Sequence, residues 1–186
     1  MYWDPLPEAL ERIAVDDYMP HLLGGRDHFL GKWEERNRLN VPGPFYGAET
    51  DTCLCGPVVA PRHVLCDDEG QEFVYRQPGS ADQVQAVLDA AWSDPIAGYA
   101  RDGDEHWTPE SVREWWARRS QVQELAGRLA ETYGNSDWDW EREQVPAWRD
   151  FAASISGGEL EGYLRDYLFW LAERRQPREG EPLPEL

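Results

Sequence analysis

The chain is poor in lysine. Lys32 is the only one, and every other cation is arginine. Basic residues together number 18 against 36 acids, for a formal net charge of −18. Such a surface repels phosphate backbones and anionic lipid heads, so neither nucleic acid nor membrane is expected as a partner. It favours basic protein partners, although acidic balance also serves solubility alone. No run of about 18 apolar residues is present, which excludes a spanning helix. The opening stretch MYWDPLPEALERIAVDD has neither the basic nor the apolar region of a secretory signal, so a cytoplasmic setting is expected. Three cysteines cannot all pair within one chain, which points to free thiols in a reducing compartment. Also missing are a G-x-S-x-G elbow, a Walker loop and a G-x-G-x-x-G after a strand. No enzyme class is indicated.

Core material, by contrast, is plentiful. The hydrophobic share is 41%, with ten tryptophans in 186 residues. A chain of this length buries about 70% of its unfolded surface, so disulfides and metals are optional for stability. The pattern predicts an α+β fold, predominantly helical and in a single domain. A small antiparallel hairpin or three-stranded sheet over about 58–76 packs against helices. The domain is expected to cover 1–175, followed by an acidic, proline-rich tail, 176–186, that is loosely ordered.

Asp4 caps a first helix carrying Ala9, Leu10 and Ile13. A second short helix, 18–23, stops at Gly24 and Gly25. A third is predicted over 27–38, ended by Asn40-Val41-Pro42-Gly43-Pro44. Strands follow at 63–66 and 71–76, joined by Asp67-Asp68-Glu69-Gly70, with Val58-Val59 as the expected third strand. Ser80 and Gln83 open a helix through Val84, Val87, Leu88, Ala91 and Trp92. Thr108-Pro109-Glu110 opens another, which runs to Tyr133 or breaks near Ser120. Residues 146–155 read as a short helix. Residues 159–175 form the cleanest amphipathic pattern, through Leu160, Tyr163, Leu164, Tyr167, Leu168 and Leu171.

Three constellations have the residue types for chemistry or binding. Cys53-x-Cys55 followed by His63-x-x-Cys66 supplies four ligands suited to tetrahedral zinc. C-x-C is tighter than the usual C-x₂-C, and a regular strand would turn His63 and Cys66 to opposite faces. The competing reading is three small buried hydrophobes and a hydrogen-bonded histidine. Asp102, Asp104, Glu105 and His106 either hold a hard cation or form a solvated turn before Thr108; the turn is favoured.

The third is acid interleaved with aromatics: Asp137, Trp138, Asp139, Trp140, Glu141 and Glu143. In an extended segment this puts both indoles on one side. Tryptophan anchors ringed by charge suit docking on a basic partner, in the manner of an inhibitor or immunity-type protein, with Phe45 and Tyr46 as further anchors. That is the preferred functional expectation. A zinc-binding protein or small metal-dependent enzyme is the alternative.

Overall fold

The computed structural model describes residues 2–15 and 28–186. The predicted helix 18–23, its Gly24-Gly25 stop, His21 and Asp27 lie outside the described residues. The fold is α+β and mostly helical, as the sequence predicts. Among the described residues there are eight α-helices and two antiparallel sheets of two strands each. The chain divides into two compact units, Trp3–Gly103 and Asp104–Leu186 together with Tyr2.

In the first unit, Asp4 accepts from the Leu6 amide at 3.0 Å and starts α1, Leu6–Val15. Helix α2 is the short Cys55–Val59, and α3 is Ala81–Ser93. The strands are β1 Tyr46–Gly47, β2 Val64–Cys66, β3 Glu72–Val74 and β4 Tyr99–Ala100. β1 pairs with β4, with Tyr46 opposite Ala100, and β2 pairs with β3, with Leu65 opposite Phe73. The β2–β3 turn is the one expected. Asp67 accepts from the Glu69 and Gln71 amides, and Gly70 takes a left-handed φ of +81°. The apolar stripe of α3 packs on Ala9, Phe45, Val64, Val74 and Tyr99 to form the core.

Two expectations fail here. Val58-Val59 is not a third strand. It ends α2, with Val58 71% exposed. Nor is 28–38 a helix. Only a 3₁₀ turn forms, Trp33–Glu35, preceded by Lys32, whose Nζ meets Glu35 at 2.8 Å. Phe29 instead bridges to Gly98, which itself approaches the Glu49 carbonyl too closely to admit any side chain.

Polar side chains replace missing ladders. Asn40, 1% exposed, donates to the Asn37 and Gly47 carbonyls and accepts from the Gly47 and Val74 amides, all within 2.9 Å. Gln77 donates to the Val41 and Phe45 carbonyls and accepts from the Phe45 amide. Loop 40–47, with its two prolines, thus has internal partners for backbone groups that would otherwise be buried and unpaired.

The second unit is helical. Helix α4, Gly103–His106, contains the boundary between the units. Thr108 caps α5, Pro109–Ala117, in a reciprocal box with Ser111. The chain breaks at Arg118 and resumes as α6, Arg119–Gly134, so the predicted break falls two residues before Ser120. Helix α7 is Asp139–Ser156 and packs on α6 as a helical hairpin; α8 is Glu159–Glu173. Helix α7 begins seven residues before the predicted 146 and runs through Pro146.

Residues 176–186, expected to be loose, make defined contacts. Arg175 clamps the Glu181 carboxylate at 2.7 and 2.8 Å, and Arg178 adds its amide. This pulls the Glu181 carboxyl down to about 2. Arg165 donates to the Pro184 and Leu183 carbonyls, and Arg113 to that of Glu185.

Asn40→Ala removes four hydrogen bonds and leaves buried backbone groups unpaired. The expected loss is about 3 kcal/mol or more of stability, read as a lower urea midpoint of the first unit by circular dichroism. Asn40→Asp, which sets a buried charged oxygen against the Asn37 and Gly47 carbonyls, should be at least as destabilising near neutral pH and recover in part as pH falls.

Candidate functional site

Residues 135–138 link α6 to α7, and the expected extended segment is instead the start of a helix. Alternation over five residues fits a strand, but Asp139 and Glu141 in the first turn of α7 suit the positive end of a helix dipole. Trp138 sits at the N-cap, its amide donating to Ser136 Oγ at 3.1 Å. Trp140 lies in the first turn, against Tyr133 of α6 with ring centroids 6.4 Å apart. Arg142 ties the link down through the Ser136 carbonyl and the Asp139 carboxylate.

Both indoles reach solvent. Trp138 is 66% exposed and Trp140 37%. Asp137, Asp139 and Glu143 are exposed around them and Glu141 partly so. Four carboxylates thus neighbour the two accessible indoles in the chain, with Arg142 the one cation between 137 and 143.

Phe45 and Tyr46 do not belong to this surface. Each is 0% exposed in the first unit. Phe45 is core, and Tyr46 stacks edge-on with Trp33 and donates to Asp102 at 2.8 Å. The expected further anchors are thus turned inward by loop 40–47.

The four proposed zinc ligands do not assemble either. Among the described residues, no group of three or more His, Cys, Asp or Glu side chains is placed to hold a metal ion. Cys53 is exposed, Cys55 half-buried on α2, and Cys66 buried in β2. His63 Nδ1 is 2.9 Å from the Arg76 carbonyl, and burial lowers its pKa. The thiols lie in an electronegative setting. A hydrogen bond to Asp51 and its charge raise Cys53; burial, then Asp51 and Glu72, raise Cys55; burial raises Cys66 further. Metal-binding and nucleophilic cysteines need the opposite shift.

The acids of 102–106 serve the two units separately. Asp104, 5% exposed, accepts from the Tyr167 hydroxyl at 2.6 Å in the second unit.

One feature of the first unit was missed. Glu72, 1% exposed on β3, accepts from the Tyr99 hydroxyl at 2.5 Å and from the Gly56 amide at 2.8 Å. Desolvation raises its pKa to about 7 against the pull of those two donors, and the charges of Asp94 and Asp51 add to the rise. Gly56 has no room for a side chain beside it. In the sequence Glu72 alternates with Phe73 and Tyr75, and nothing local marks it as buried. The one available signal was Gly56 sixteen residues earlier, which has no meaning without the fold. Nearby, a groove of about 720 Å³ is bordered by Asn37, Thr50, Asp67 and Gln71.

Comparison with family models, with curated proteins and with solved structures found no match for the chain.

Glu72 makes stability pH-dependent with a definite sign. Its folded pKa lies above the unfolded value, so the folded state holds the proton more tightly. The contribution is complete below the unfolded pKa near 4.5 and is lost as pH rises through about 7. Stability should fall by about 3 kcal/mol over that window. Glu72→Gln, which removes the charge, keeps an acceptor for the Gly56 amide and turns the Tyr99 contact into a donation from Nε2 to the hydroxyl oxygen, should flatten the urea-midpoint profile between pH 5 and 7.5.

Proposed function

We propose that this protein is a binding module that docks on a basic surface of a partner protein, of the inhibitor or immunity type. The observation that carries the reading is the exposure of Trp138 and Trp140 at one end of the α6–α7 hairpin, in a stretch that also carries four solvent-reaching carboxylates. Large aromatics are rarely left in water without use, and a paired exposed set is a feature of interaction surfaces.

The energetics are adequate. Covering the exposed two-thirds of one indole removes roughly 160 Å² from water, about 4 kcal/mol before the costs of association. Asp137, Asp139, Glu141 and Glu143 meet the partner's arginines and lysines. They contribute chiefly to encounter rate and orientation, and the net charge of −18 extends the attraction. Phe45 and Tyr46 take no part. Three free thiols suit a cytoplasmic setting. No helix of the described residues is long and apolar enough to cross a membrane.

The test uses two affinity columns, one bearing the wild-type chain and one the Trp138→Ala/Trp140→Ala variant, with retained proteins compared by quantitative mass spectrometry. The expected result is a basic protein retained by wild type at low salt, released as salt rises through the range that screens surface charge, and at least tenfold depleted on the variant. Equal retention on both columns, or no basic protein on either, refutes the proposal.

A further inference from the structure

This chain sets arginine on tryptophan repeatedly. Arg36 lies over the Trp33 ring at 3.8 Å, Arg119 over Trp116 at 4.7 Å and Arg174 over Trp170 at 4.4 Å. In each pair the arginine follows the tryptophan by three or four residues, the spacing that brings side chains together on one face of a helical turn. A guanidinium suits the contact. It is planar and weakly hydrated, and it can lie flat on an indole with its N–H groups still directed outward in the plane.

Trp138 and Trp140 break this pattern. The same two spacings lead from Trp138 to Glu141 and Arg142, and from Trp140 to Glu143 and Gln144. Arg142 is committed elsewhere, to the Ser136 carbonyl and the Asp139 carboxylate, and Gln144 is buried. Among the described residues, no arginine lies over either indole, and Asp137, Glu141 and Glu143 meet no cation. Yet Trp138 is 66% exposed and all three carboxylates reach solvent. The start of α7 does not account for so many acids. A helix N-terminus carries about half a positive charge, which a single carboxylate offsets. An acid thus stands three residues past each accessible indole, where Trp33 and Trp116 have their arginine.

Resting on the docking role of this surface, we propose that Trp138 receives an arginine of the partner protein, whose guanidinium stacks on the indole and pairs with Asp137 or Glu141. The contacting segment of the partner is arginine-rich rather than lysine-rich. The carboxylates select a cation, and the bare ring selects its shape. One planar group answers both, with its face on the indole and its edge toward a carboxylate. An ammonium is a compact, strongly hydrated point charge, so it pairs with the acid but gains less from the ring. Glu143 stands to Trp140 as Glu141 stands to Trp138, which gives a second arginine a weaker place at the less exposed ring.

The probes are two short amidated peptides, one alternating arginine with glycine and the other lysine with glycine, each titrated into the full-length protein at low salt by calorimetry. The net charge of −18 attracts both alike, so the ratio of their affinities isolates the ring. The arginine peptide should bind about threefold to tenfold more tightly than the lysine peptide and move the Trp138 indole N–H resonance. Trp138→Ala should bring the two affinities together, and Trp138→Phe should leave an intermediate ratio, since tryptophan is the best of the aromatic rings for a cation. Trp138 makes no side-chain cap bond, so neither change removes the start of α7. Equal affinities for wild type, an arginine preference that survives Trp138→Ala, or no binding of either peptide at millimolar concentration overturns the proposal. A basic protein held by the wild-type column and lost from the double-variant column, alongside equal peptide affinities, would remove the arginine and leave the docking role standing.

Discussion

Buried side chains that bond to backbone are what the first unit depends on. Its strands are two or three residues long, too short to organise a domain. Between them runs irregular chain whose amides and carbonyls are shut away from water. Asn40 supplies four of the missing partners and Gln77 three. Asp94 accepts from the Asp51, Ile96 and Gly98 amides, and Gln71 from that of Thr50. Each contact is worth little net, but leaving any buried group unmade costs more, so the set specifies one loop arrangement. Glu72 belongs to the same system, with a carboxyl that stays largely protonated through mildly acidic pH.

This system explains what could be read from the residues and what could not. Helix 81–93 was legible because Val84, Val87, Leu88 and Ala91 repeat with the helical period and all end buried. The turn at Asp67 and the cap at Thr108 were legible because their chemistry is local. Residues 28–38 were misread because Phe29, Leu30 and Trp33 have helical spacing, whereas the bridge from Phe29 to a glycine about seventy residues away decides the conformation. Asn40 looked like a helix terminator, since nothing local marks an amide as a four-way clamp. The reach of residues 183–185 toward Arg113 and Arg165 is likewise invisible in a proline-rich tail.

The candidate surface was half legible. Trp138 and Trp140 were identified by their alternation with acids, although the helix beginning at Asp139 replaces the strand that alternation implied. Within a five-residue window, period two and the start of a helical turn are not distinguishable. Phe45 and Tyr46 were lost to burial, and the Cys/His set to its dispersal: Cys53 is exposed, Cys55 half-buried and Cys66 and His63 buried. Chain proximity brought Cys53, Cys55, His63 and Cys66 within fourteen residues, but α2 and β2 dispose them differently, and Asp51 raises the Cys53 pKa while burial, then nearby carboxylates, raises those of Cys55 and Cys66.

Lys32 has a further consequence for anyone handling the molecule. It is the sole side-chain amine, it is exposed, and it sits in the first unit, whereas both accessible indoles are in the second. Acylating reagents aimed at lysine therefore have one side-chain address. A dye or support joined through its side chain is attached to the first unit and to no side chain of the unit that carries Trp138 and Trp140, while the chain's α-amine is a second nucleophile for the same reagents.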